Sequence, residues 1–221
     1  MREENVFAKV ARTRIAEVLT IFRTRYLDDP QVLAALVTLV RERVPDATLH
    51  PILYYLTTRD EPLLRDAVRD LVVPMRDRGQ LAITTADATR WLRTQAAAGH
   101  VDRPWGDAAI TRLAQALLST LRDFGILEGK ASKRIAPAYL PVAAFAFIAF
   151  IVHRSVRSGE KLLHDPAWDL FLLSQHDVEH YFVEAQQQRL LTYEAAGRVI
   201  RVTFPAESLE EYAHAVARRP L

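Results

Sequence analysis

Apolar residues recur at three-to-four spacing along most of the chain, which predicts amphipathic helices. Val6, Phe7, Val10, Ile15, Val18, Leu19 and Phe22 predict a first long helix over 5–27. Asp28, Asp29 and Pro30 stop it and can cap the next, with Pro30 in a first-turn position. That second helix runs over 31–43 and ends near Val44 and Pro45. Pro51 interrupts the following stretch, and Ile52, Leu53, Tyr55 and Leu56 predict a short buried helix after it. Leu63, Leu64, Ala67, Val68, Leu71 and Val72 predict another over 61–75, with an exit turn at 76–80.

The pattern changes at Leu81. A short β-prone piece precedes Thr85, which reads as the N-cap of a helix over 86–98, with Gly99 at its end. After a loop, Gly106 or Asp107 caps a helix whose apolar stripe is Ile110, Leu113, Ala114, Leu117, Leu118, Leu121 and Phe124. Gly125 ends it, and Ile126 and Leu127 return the chain to the core before a basic tail, EGKASKRIAP. The apolar run LPVAAFAFIAFIV, residues 140–152, predicts a helix buried on most sides. It falls short of the roughly 20 apolar residues that a membrane span needs. Beyond a break at Ser158 and Gly159, Asp165 caps a segment with Pro166 at its first position, and 177–191 is again helical. The period then shortens to two: Val199, Arg201 and Thr203 alternate with Ile200, Val202 and Phe204, a β-hairpin turning at Gly197. A helix over 208–218 closes the chain.

Composition narrows the fold class. Only seven glycines occur in 221 residues, too few for the turns of an all-β protein, and half the residues are hydrophobic. The expectation is a mainly α protein. It is a multi-helical bundle with a winged-helix-like middle segment and a small C-terminal hairpin. Three regions are expected: 1–78 helical, 79–139 winged-helix-like, and 140–221 helical with the hairpin, packed as one or two compact units. The absence of cysteine excludes disulfides and thiolate zinc sites. The opening MREENVFAKVARTR has no apolar core of a signal peptide, which fits a cytoplasmic protein. A net charge of +2 is only mildly basic, so any nucleic-acid surface must concentrate its cations locally.

Several stretches carry a family resemblance: W…TRLAQALLSTLRDFGILEG…RIAP (105–137), ILYYLTTRDEPLLRDAVRDLVVP (52–74), WDLFLLSQHDVEHYFVEAQQQRLLTYEAAGRVIRVTFP (168–205) and LEEYAHAV. Together they resemble the BrxA family of bacteriophage-exclusion (BREX) defence loci. These are packing motifs, specific in combination and weak singly. The resemblance implies a small, mostly helical, cytoplasmic protein with DNA as a partner, alongside other BREX proteins. It implies no catalytic residues and no cofactor. The family also carries a putative inner-membrane label, and the length of the 140–152 run speaks against a span.

The residues themselves name the candidate interface. Opposite the apolar stripe of the 110–124 helix lie Thr111, Arg112, Gln115, Ser119 and Arg122, with no large apolar side chain among them. Arginine suits phosphate or guanine, glutamine suits adenine, and small hydroxyls allow close phosphate approach. Lys130, Lys133 and Arg134 follow on a short turn or wing, and Arg12 and Arg14 belong to an N-terminal basic cluster. The same helix serves equally as the polar side of a bundle. His176, Glu179 and His180 fit a metal-binding spacing, H-x-x-E-H, yet no third ligand stands in a recognisable context downstream. They read as first-turn residues of a helix, and no metal is expected. The expected function is a non-enzymatic DNA-binding accessory protein. The alternative is a scaffold module of the defence complex that touches no nucleic acid.

Overall fold

The computed structural model describes residues 20–21, 23–26, 28–98, 105–197 and 199–218. The fold is mainly α with two small antiparallel sheets. Residues 20–21 and 23–26 are helical; the rest of the first expected helix lies outside the described residues. Helix α1 (Pro30–Arg41) begins where Asp29 accepts hydrogen bonds from the Gln31 and Val32 N–H groups, with Pro30 in the first turn as expected. Helix α2 (Asp46–Asp60) passes straight through Pro51. The interruption expected there does not occur. The proline removes one intrahelical donor, and burial of Ile52, Tyr54, Tyr55 and Leu56 holds the helix across the defect.

Helix α3 (Pro62–Ala67) continues through a π turn (Val68–Val72) into α4 (Val73–Asp77). The Val73 N–H reaches back to the Val68 carbonyl, a wider register that accommodates Pro74, which has no N–H to give. The middle of the chain alternates short strands and long helices: β1 (Ala82–Ile83), α5 (Thr85–Ala97), α6 (Asp107–Asp123), β2 (Leu127–Glu128) and β3 (Lys133–Ile135). The cap of α5 is Thr84, one residue before the expected Thr85. The capping box explains why: the Asp87 N–H donates to the Thr84 hydroxyl, and Asp87 accepts from the Thr84 N–H at 3.0 Å.

The middle sheet has the order β1-β3-β2, all antiparallel. Its inner face is Ile83, Leu127 and Ile135, buried in the same hydrophobic cluster as Leu92 of α5 and Leu118 and Leu121 of α6. That cluster is continuous with the rest of the molecule. Phe124 packs on Tyr54 of α2 with ring centroids 5.0 Å apart, and the Tyr54 hydroxyl donates to the Leu170 carbonyl at 3.2 Å.

Helix α7 (Val142–Val156) is the centre of the core. Every residue from Ala144 to Val152 is buried. Among the described residues, no helix is long and apolar enough to cross a membrane. Phe145 stacks on Trp168 and Tyr181 at 4.6 and 5.1 Å and meets Phe182 edge-on at 4.9 Å. Around α7 pack α2, α8 (Gly159–Leu163), α9 (Gln175–Gln187) and α10 (Leu209–Ala217), and α10 also packs along α1. Asp165 caps Pro166–Phe171 as expected, but the segment is a 3-10 helix. The expected hairpin is β4 (Thr192–Ala196) and β5 (Val199–Thr203), with Val202 buried and its neighbours Arg201 and Thr203 exposed.

Candidate nucleic-acid interface

The local sequence of α6 fixes both its ends and its faces. Gly106 stands at the N-cap, so no side chain bonds the first N–H groups. At the other end Gly125 takes φ +80°, its N–H bonding the Arg122 carbonyl while Ile126 N–H bonds the Leu121 carbonyl. This paired closure turns the chain sharply and buries Ile126 and Leu127. The apolar stripe is found where periodicity put it: Ile110, Ala114, Leu117, Leu118 and Leu121 are buried, and Leu113 and Phe124 half-buried.

The opposite face is polar. Thr111, Arg112 and Gln115 are exposed, and Ser119 and Arg122 are half-buried further along. At about 100° per residue they share one arc of the helix. Ala108 and Ala116 are exposed on the same side and were not singled out from sequence. Alanine there lets another surface approach the helix backbone closely, and its methyl suits a thymine methyl. The Thr111 hydroxyl donates to the Asp107 carbonyl at 3.0 Å, and Arg112 Nε to the Ala108 carbonyl at 3.3 Å. These bonds lay both side chains back along the helix toward its N-terminus.

The basic tail folds as the β2–β3 hairpin. Gly129 sits at φ +87°, and a Cβ there would stand 2.1 Å from the Ser132 carbonyl oxygen, so the tight turn requires glycine. Lys130 is exposed at the tip, and Lys133 donates to its carbonyl at 3.5 Å. Strand alternation separates the next residue from this group. Arg134 lies opposite Ala82 and Glu128, on the outer face of the sheet, while its neighbours Lys133 and Ile135 are on the α6 side. Arg12 and Arg14 lie outside the described residues.

An arginine–aspartate pair stands at each end of α6. Arg93, exposed on α5, pairs with Asp107 at 2.7 Å, and Arg122 pairs with Asp123 at 2.6 Å. Arg93 escaped the sequence reading. The signal was present, because Arg90 and Arg93 fall opposite Ala88, Trp91 and Leu92 on a three-to-four pattern.

His176 and His180 are exposed in the opening turns of α9. Ser174 caps that helix with Asp177, whose carboxylate accepts from the Ser174 N–H at 2.8 Å, and its hydroxyl contacts hold the Asp177 carboxyl below the usual range. His180 Nε2 lies 3.2 Å from Glu184, and Glu179 accepts from Gln175 at 3.3 Å. Among the described residues, no three His, Asp or Glu side chains are grouped to hold a metal ion.

Comparison with known proteins gives one family. The model of the BrxA family matches residues 1–152, more than two thirds of the chain. No curated protein and no solved structure matches. The matched span includes the whole middle sheet, α5 and α6, and ends inside α7.

Proposed function

The chain belongs to the BrxA family, and on that premise we propose that it is a DNA-binding accessory protein of BREX phage defence. BrxA membership supports an association with BREX defence and suggests other BREX components as partners; the family is not a known enzyme family. In our reading the protein does no covalent chemistry and works in the cytoplasm, where the DNA is. The observation that carries the reading is the middle segment, 79–139. Two helices, the second with an outer face of polar residues and small alanines, are followed by a lysine-bearing hairpin, and β1 closes the sheet in the order β1-β3-β2. We read that order as a winged helix, in which α6 would enter the major groove and the hairpin would touch the flanking phosphates.

Thr111, Arg112, Gln115 and Ser119 are the groove-side residues in this reading, with Ala108 and Ala116 beside them. Arg122, Lys130 and Lys133 supply backbone contacts, and Arg134 serves a phosphate reached from the outer sheet face. Arg12 and Arg14 add charge from the N-terminal segment. The test is binding to duplex DNA, single-stranded DNA and RNA across a salt series. Duplex binding that weakens steeply with salt supports the reading, and no duplex binding at low salt refutes it.

A second reading has its own observation. Val37 and Val40 project from α1 at 37% and 60% exposure, and Tyr139 is 75% exposed on the linker before α7. Such apolar positions suit a protein partner. Co-purification of a BREX protein that is lost in Val37→Asp/Val40→Asp, with no gel shift on any nucleic acid, would favour a scaffold role.

A further inference from the structure

The two ion pairs at the ends of α6 differ from the other cations of the proposed surface. Asp107 is the first residue of α6 and Asp123 the last. Arg93 and Arg122 therefore each meet a carboxylate at less than 3 Å. Among the described residues, no carboxylate lies within 4 Å of Arg112, Lys130, Lys133 or Arg134. We infer that Asp107 and Asp123 are built-in counter-ions. They partly offset the charge of Arg93 and Arg122 until a DNA phosphate displaces them, and so they tune the strength and salt dependence of docking. This inference rests on the duplex-docking reading above.

Docking through these arginines is an ion exchange. A cation that neutralises a DNA phosphate releases a condensed counter-ion, and that release makes binding salt-dependent. An arginine that arrives with its own carboxylate does not give this gain in full. The carboxylate it leaves must recruit a cation from solution, which offsets the cation released from DNA. The exchange itself is easy, because both aspartates are exposed, with side-chain exposures of 84% and 64%. Exposed pairs of this kind are held only weakly.

Geometry gives the arrangement a use. Carboxylates at both ends of the docking helix repel phosphates that approach out of register. An aligned duplex instead offers each arginine a phosphate in exchange. The pairs then favour aligned docking over loose association, a repulsive contribution to specificity. Asp107 and Asp123 are positioning residues here, acting through the arginines they hold.

The test uses the full chain and a duplex of random sequence. Asp107→Asn and Asp123→Asn keep side-chain shape and remove charge. Glu210→Gln, exposed on α10, makes the same change in net charge far along the chain from α6. Each Asn variant should bind several-fold more tightly than Glu210→Gln and steepen the log–log salt slope by up to about 0.9. In an Arg93→Ala background, Asp107→Asn should lose most of that effect. Thermal melts confirm that the variants fold. Salt slopes equal to that of Glu210→Gln would overturn the inference. So would a full Asp107→Asn effect without Arg93, which would mean direct repulsion of DNA. A wild-type chain that ignores duplex at low salt defeats the docking reading itself, an outcome read without any variant.

Discussion

Replacing Phe145 with alanine tests whether α7 is the organising core of a water-surrounded fold. The ring is fully buried and contacts Trp168, Tyr181 and Phe182 with centroids within 5.1 Å. Removing a buried phenyl from a packed site costs about 3–5 kcal/mol, in lost burial and in the cavity left behind. The upper part of that range applies here, since three aromatic partners lose a neighbour and each such pair adds about 0.5–1.5 kcal/mol beyond its area. Domains are stable by only about 5–15 kcal/mol, so a large share of the total goes. For a chain of this size Tm should fall by roughly 6–20 °C, at about 2–4 °C per kcal/mol. Circular dichroism melts and urea titrations of the purified protein, without detergent, measure it. A Tm unchanged by Phe145→Ala would refute the reasoning, because it would mean that this face of α7 is not packed as described.

Other positions give sharper local tests. A Cβ at Gly159 would stand 2.4 Å from the Ile200 carbonyl oxygen, so Gly159→Ala must push α8 and β5 apart. It should cost about 1–3 kcal/mol as an overpacking change, visible as a lower urea midpoint; an unchanged midpoint would contradict the close approach. Thr84→Ala should cost about 1 kcal/mol at neutral pH through loss of the α5 cap. The hydrogen bonds from Thr84 hold the Asp87 carboxyl below its ordinary value. A depressed carboxylate stabilises fully above the unfolded value of about 3.9 and loses that contribution as pH falls through the lower folded value. The stability gap between wild type and Thr84→Ala should therefore narrow on acidification below pH ~4, leaving the part due to the Asp87 N–H bond to the Thr84 hydroxyl. NMR titration should show Asp87 moving up in the variant, and a constant stability gap down to the acid transition would count against the cap. Arg134→Ala should weaken duplex binding less than Lys130→Ala or Lys133→Ala, because strand alternation turns it to the outer sheet face; the reverse ranking in an anisotropy titration would move the interface to that face.

The helices were legible wherever one apolar stripe meets a local stop signal. Gly125, Asp29 with Pro30, Asp165 with Pro166, and the alternation from Val199 to Phe204 each act within a few residues, and each is found in place. Pro51 misled because proline weakens a helix locally while the burial that rescues α2 comes from distant partners, such as Leu170 on Tyr54. The cap fell on Thr84 and not Thr85 because the choice between adjacent threonines depends on which one places Asp87 at the third helical position. Pairing of β1 with β3 joins residues about fifty positions apart, and no local pattern records it. The outer face of α6 was legible as a face. Its Arg93–Asp107 ion pair was not, since those residues are brought together only by the packing of α5 on α6.

On the reading proposed above, α6 and the β2–β3 hairpin dock this BrxA-family chain on duplex DNA. The most direct measurement is the salt dependence of duplex affinity for wild type and for the triple variant Arg112→Ala/Lys130→Ala/Lys133→Ala. Each phosphate contact on B-DNA contributes roughly 0.9 to the log–log slope. A steep wild-type slope is predicted, which the triple variant flattens by up to about 1.8 for the phosphate contacts of the two lysines, while loss of the groove-side Arg112 lowers affinity unevenly across sequences. Equal slopes and equal affinities for the two proteins would contradict that reading.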